Sequence, residues 1–117
     1  MHSSMGMINR CALLLRPRQP FLDWINAGEM ADKTVYTLTE IQEDPQVYLI
    51  PECFYVKEAW DWVYKEFDFF FEEELEGWNI DDKTWPKDRT LEMFKAWFDI
   101  EILTGVTDAV DEPIEED

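Results

Sequence analysis

Val56-Lys57-Glu58-Ala59-Trp60-Asp61-Trp62-Val63-Tyr64-Lys65-Glu66-Phe67-Asp68-Phe69-Phe70-Phe71-Glu72-Glu73-Glu74-Leu75-Glu76-Gly77-Trp78 is the stretch on which the fold turns. Stepped at about 100° per residue, Trp60, Val63, Tyr64, Phe67, Phe70, Phe71, Leu75 and Trp78 share one broad apolar face. The pattern predicts a single long helix over residues 56–76, with Gly77 as the residue just past its end. Burying that face contributes roughly 1.5–3 kcal/mol per side chain, so the helix anchors the core. Glu58, Asp61, Asp68, Glu72 and Glu76 line one flank of it, and Glu66 and Glu73 the other. Trp62 and Phe69 point outward between the two acidic flanks.

The same contrast of rings and carboxylates runs through the whole chain. Its 117 residues carry a formal net charge of −17, yet 15% are aromatic and six are tryptophan. A chain this rich in large rings offsets the entropy of ordering itself, so it folds despite its charge. The length suits one domain. Residues 21–117 hold all 27 acids against seven lysines and arginines, a net of −20. Direct nucleic-acid binding needs clustered cations that release counterions, and anionic membranes need the same, so neither is an expected partner. No apolar run approaches the length of a membrane span or a signal-peptide core. The expectation is a cytoplasmic protein.

Working outward, Asn9-Arg10-Cys11-Ala12-Leu13-Leu14-Leu15 reads as a central strand buried on both faces, closed by Pro17. Pro20 opens a short helix over residues 20–27, ended by Gly28. Residues 35–38 are a weak strand candidate. Thr37 with Glu40, and Thr39 with Gln42, both fit a capping box for a helix near 39–44. Val47-Tyr48-Leu49-Ile50 is a second strand, ended by Pro51. After a polar loop over 79–88, Asp88 is placed to cap a helix over 89–103, ended by Gly105. Leu91, Phe94, Phe98 and Ile102 form one apolar line on that helix, and Met93, Trp97 and Ile100 a second. The expected architecture is α+β: a two- or three-stranded sheet with the long helix and the C-terminal helix on one face. Residues 1–8 read as a disordered or appended start, 9–105 as one domain, and 106–117 as an acidic mobile tail.

Pro20-Phe21-Leu22-Asp23-Trp24, Val47-Tyr48-Leu49-Ile50-Pro51-Glu52 and Trp85-Pro86-Lys87-Asp88-Arg89-Thr90, followed by Phe94 and Trp97-Phe98, carry a resemblance. In these segments, spread over residues 9–103, the chain resembles a family of small acidic bacterial proteins of unknown function. The resemblance implies a bacterial source and a cytoplasmic address, and brings no activity, cofactor or site.

Several chemistries lack their residues. The one histidine is His2, outside the domain, so a histidine base has no place to act. Cys11, inside the strand, behaves as a small hydrophobe, and Cys53 sits beside Glu52, which disfavours a thiolate; both read as structural. Two cysteines without a usable histidine do not make a four-ligand zinc site unless carboxylates are recruited. Asn79, Asp81 and Asp82 lack the glycine and the late glutamate of a calcium loop, and read as a polar turn. Gly6, Gly28, Gly77 and Gly105 are too dispersed to cradle a phosphate. No catalytic residue, cofactor or metal is therefore assigned. Among the carboxylates, Glu52 after a strand and Glu74 at the edge of the long helix's apolar face are the first to test for a raised pKa, with Arg10 or Arg16 as a structural partner.

The expected function is a non-enzymatic acidic interaction module that binds a basic protein partner through Glu58, Asp61, Trp62, Asp68, Phe69, Glu72 and Glu76. A homodimer seam is another occupant of the Trp62 and Phe69 stripe, and the plainer expectation is that Met93, Trp97 and Ile100 cover it. Two alternatives stand beside the module. One is a small carboxylate-using enzyme or ligand-binding protein; the other is a DNA mimic whose acidic flank, interrupted by Lys65, imitates a row of phosphates. A scaffold whose charge serves solubility alone is the bland reading.

Overall fold

The structure, a computed structural model, describes residues 6–28 and 34–117. It is an α+β fold built on a three-stranded antiparallel sheet. Strand β1 (Gly6–Met7) leads to β2 (Arg10–Pro17), and helix α1 (Gln19–Ala27) precedes α2 (Leu38–Gln42) and β3 (Gln46–Pro51). Helices α3 (Val56–Lys65), α4 (Phe67–Glu76) and α5 (Leu91–Trp97) follow, then β4 (Phe98–Leu103) and β5 (Thr107–Asp108). The apolar run 9–15 does form the central strand: β2 pairs with β3, Cys11 opposite Ile50 and Leu13 opposite Tyr48, and with β4, Leu13 opposite Ile102.

Alternation along the strands sorts the two faces of the sheet. Cys11, Leu13, Leu15, Tyr48, Ile50, Phe98, Ile100 and Ile102 share the face on which the helices pack, and nearly all of the core's remaining side chains come from α1, α3, α4 and α5. The reverse face carries Ala12, Leu14, Arg16, Val47, Leu49, Glu101 and Leu103. Val47 and Leu49 are about half exposed, at 51% and 50%. The expectation of a strand covered on both faces is therefore corrected: helices cover one face, and on the other Ala12 is screened by Leu49 and Leu103 on either side of it.

The long helix of the sequence reading is two helices. At Glu66, φ −100° and ψ 17° leave the helical region, and the Phe69 N–H donates to the Glu66 carbonyl at 3.1 Å in one tight turn. Both segments bury their own stripe, Ala59 and Val63 in α3 and Phe70, Phe71 and Leu75 in α4. Gly77 caps α4 in a right-handed conformation, so its place does not depend on a left-handed turn.

The C-terminal helix is likewise half as long as expected. Thr90, not Asp88, caps α5, its hydroxyl accepting the Met93 N–H at 3.2 Å, while Asp88 takes a positive φ of 55°. At Phe98 the backbone switches to φ −134° and ψ 141° with no intervening loop, and Phe98-Asp99-Ile100-Glu101-Ile102-Leu103 completes the sheet. The third strand is thus β4; residues 35–38 are not a strand. In their place the Asn26 side chain satisfies both backbone groups of Tyr36, accepting its N–H and donating to its carbonyl at 2.9 Å each. Of the two candidate capping boxes, α2 uses Thr37 with Glu40. Gly6–Met7 pairs with Thr107–Asp108, joining the chain's two end regions in a small second sheet.

Candidate functional site

Where β3 begins, α4 ends and α2 hands over to the sheet, the elements leave a cavity of about 570 Å³. Its inner wall is Leu15, Ile41, Tyr48 and Trp78; Asp44, Glu73 and Glu76 stand round its mouth, and Glu74 reaches into it. No lysine or arginine lines it among the described residues. Alternation in β3 turns Tyr48 toward the helices, opposite Leu13, where its ring meets the edge of Phe70 at 5.0 Å. Glu74 lies four residues after Phe70 in α4, hence on the same face one turn on. Its carboxylate accepts a hydrogen bond from the Tyr48 hydroxyl at 2.5 Å.

The electrostatics of this pair follow from its burial. Desolvation pushes the Glu74 carboxyl up from 4.5 to about 7; the Tyr48 hydrogen bond pulls it down in part, and the Glu73 charge adds to the rise. The Tyr48 hydroxyl is pushed far above its ordinary value, first by burial and then by the Glu74 charge. Near neutral pH the cavity therefore contains a carboxyl that both holds and releases a proton, next to a phenol that stays protonated. Arg10 and Arg16 are elsewhere: Arg16 pairs with Glu101 at 2.8 Å and Arg10 donates to the Asn9 carbonyl. The arginine partner expected for Glu74 is thus a tyrosine. Glu52, the other carboxylate singled out, is exposed and borders a smaller cleft with Cys53, Glu58 and Trp62.

The residues of the expected interaction surface divide. Trp62 and Phe69 fall on different helices but converge on Phe70, at 5.9 and 5.3 Å between ring centroids. Trp62 is half-buried and Phe69 is 56% exposed. Trp97, expected to cover them, packs against Phe21 and Phe71 instead, and Ile100 belongs to β4. Along the acidic flank, Glu58 accepts the Tyr55 N–H, and Asp61 takes Lys57 at 2.7 Å. Asp68 and Glu72 both close on Arg89, at 2.7 and 2.8 Å, and Glu76 turns to the cavity mouth. Asn79 and Asp81 cap the turn that follows α4, accepting the N–H groups of Asp81 and Lys83.

Sequence reasoning missed Tyr48 and Trp78 as site residues. The signal for Tyr48 was the alternation of Val47-Tyr48-Leu49-Ile50, which fixes its side of the sheet; nothing local placed Glu74 opposite it. Among the described residues no group of three or more His, Cys, Asp or Glu side chains could hold a metal ion, and no helix is long and apolar enough to cross a membrane. Compared with family models, curated proteins and solved structures, the chain matches none.

Proposed function

We propose that this protein is a non-enzymatic interaction module that binds a basic protein partner and takes one of its cationic side chains into the cavity beside Tyr48 and Trp78. The observation that carries this reading is the composition of that cavity: four carboxylates, two aromatic walls and, among the described residues, no cation. Lysine and arginine stems suit apolar and aromatic walls while their heads seek carboxylates, and the net charge of −17 speeds the encounter. The flank from Glu58 to Glu72, by contrast, already has partners within the chain, so it supports the DNA-mimic alternative least.

Calorimetry with a hexa-arginine peptide tests the module. Glu73→Gln with Glu76→Gln weakens binding about tenfold, or about 1.4 kcal/mol, whereas Glu112→Gln with Glu115→Gln, an equal change of charge in the tail, leaves it nearly intact. Equal weakening by both pairs would mean that bulk charge is responsible, and the cavity reading would fail. Because a bound cation favours ionised Glu74, affinity also rises with pH through about 7.

One observation favours a second reading, a small carboxylate-using enzyme or ligand-binding protein. Glu74, raised to about 7 in a concave site beside a phenol, has the poise of a general acid. Binding of an uncharged amide or sugar that displaces Tyr48 and Trp78 resonances, with no response to the arginine peptide, would select it.

A further inference from the structure

Cys11 and Cys53, far apart in sequence and read there as two separate structural residues, meet in the fold. Cys11 lies opposite Ile50 in the β2–β3 ladder, and the chain leaving β3 turns back at once toward α3. That return brings the two sulfurs to 3.3 Å, both as free thiols. A disulfide requires them to approach to about 2.05 Å. The two thiols differ in access. Cys11 is 1% exposed, whereas Cys53 is half-buried and lines a cleft of about 170 Å³ with Pro51, Glu52, Glu58 and Trp62.

We propose that Cys11 and Cys53 form a reversible oxidation site, entered at Cys53 by a neutral or cationic oxidant and closed by Cys11 into a disulfide. With hydrogen peroxide, the Cys53 thiolate attacks one oxygen, the O–O bond breaks, and Cys53 sulfenic acid and water result. The Cys11 sulfur then attacks the Cys53 sulfur, forming the S–S bond and expelling the hydroxyl as a second water. Two thiols and one peroxide give one disulfide and two waters, with two electrons passing from the sulfurs to peroxide. With a low-molecular-weight disulfide, Cys53 forms a mixed disulfide and releases one small thiol, and Cys11 releases the other.

The cleft sets the oxidant class. Glu52 and Glu58 flank the entrance, so an anionic disulfide such as glutathione disulfide is repelled and a cationic one such as cystamine is drawn in. The Cys11 contact, then desolvation and the neighbouring charges, push the Cys53 thiol up, so its first attack on the oxidant is slow at neutral pH and quickens as pH rises. Closure covalently ties the start of β2 to the connection that leads into α3.

Intact mass spectrometry of the reduced full chain, with maleimide counting of remaining thiols, tests the site. Cystamine removes both thiols with loss of two hydrogens and no adduct, at least about tenfold faster than glutathione disulfide at low salt, and dithiothreitol restores both. Cys11→Ala stops at a stable cysteamine adduct on Cys53, and Cys53→Ser leaves Cys11 unmodified in the folded protein. A lasting adduct on Cys53 in the unsubstituted chain, crosslinked dimers, or equal rates for the two disulfides would overturn the proposal. Circular dichroism of each variant confirms that the fold is retained; should Cys11→Ala unfold, the unsubstituted chain's mass and rate ratio decide alone.

Discussion

Helix α4 carries carboxylates on two flanks, and their circumstances differ in kind. Asp68 and Glu72 share the fork of Arg89, whose guanidinium also donates to the Pro86 carbonyl at 2.9 Å and lies 5.9 Å over the Phe71 ring. Glu74, on the other side, meets a tyrosine and, among the described residues, no cation. The first arrangement braces the approach to α5 against the core. The second leaves a carboxyl whose proton is exchangeable near neutral pH. Composition alone makes these groups equivalent; the partner that each finds decides whether a carboxylate serves architecture or remains open to chemistry.

The most severe way to break this contrast is to remove the ring beneath the braced flank. Phe71 is fully buried against Phe94, Trp97 and Phe98 at 5.9, 5.4 and 5.5 Å. Phe71→Ala therefore costs about 3–5 kcal/mol in urea denaturation, and a loss below about 1 kcal/mol would show that α4 is not the keystone of the core.

Next in size is the open flank. The folded protein holds the Glu74 proton up to about 7, whereas an ordinary carboxyl loses it near 4.5. Between those values the native state binds more protons than the unfolded chain, so this group's contribution falls as pH rises and is fully unfavourable above about 7. Glu74→Gln removes that slope and exceeds the unsubstituted protein by on the order of 2 kcal/mol at mildly alkaline pH. Parallel stability–pH curves for the two proteins would contradict it.

Arg89→Ala has a smaller effect, about 1–2 kcal/mol, because the carboxylates it leaves are 49% and 47% exposed and regain water. Arg89→Lys recovers little of that, since one ammonium cannot reproduce the fork, and the deficit shrinks with added salt. Full recovery by lysine would reduce the brace to simple charge pairing. The mildest change is Tyr48→Phe. Its hydroxyl lowers the Glu74 pKa, so removing it lifts that carboxyl further, visible in a carbon NMR titration, with a stability change of about 1 kcal/mol or less. A downward movement would mean that another donor holds Glu74.

How far the sequence reveals these features depends on the range of the interaction. The β2 run, the α2 capping box and the buried rings of α4 are local patterns, and each is present where the residues indicate. Residues 91–103 satisfy two periods at once: Leu91, Phe94, Phe98 and Ile102 step like a helix, while Phe98, Ile100 and Ile102 alternate like a strand. Only the free edge of β2, a partner supplied by distant sequence, resolves the ambiguity in favour of β4. The break at Glu66 has no proline or glycine to announce it, and comes from two stripes that must bury separately. For the site, the helical angle marks Glu74 as an edge carboxylate, but Tyr48 becomes its partner only once β3 lies against α4. The Cys11–Cys53 contact was equally hidden, because Cys53 lies beyond the end of β3 and meets Cys11 only through the turn of the connection toward α3.

The reverse face of the sheet gives the chain's negative charge a role in colloidal behaviour. Val47 and Leu49 on one edge strand and Leu103 on the other present an open apolar patch, a surface that invites stacking of one molecule on another. Like-charge repulsion between molecules bearing −17 each opposes that stacking. Concentrated salt, or acidification toward an isoelectric point near 4.2, removes the opposition while leaving the patch unchanged, so the tendency of these molecules to stack is set by the solvent as much as by the fold.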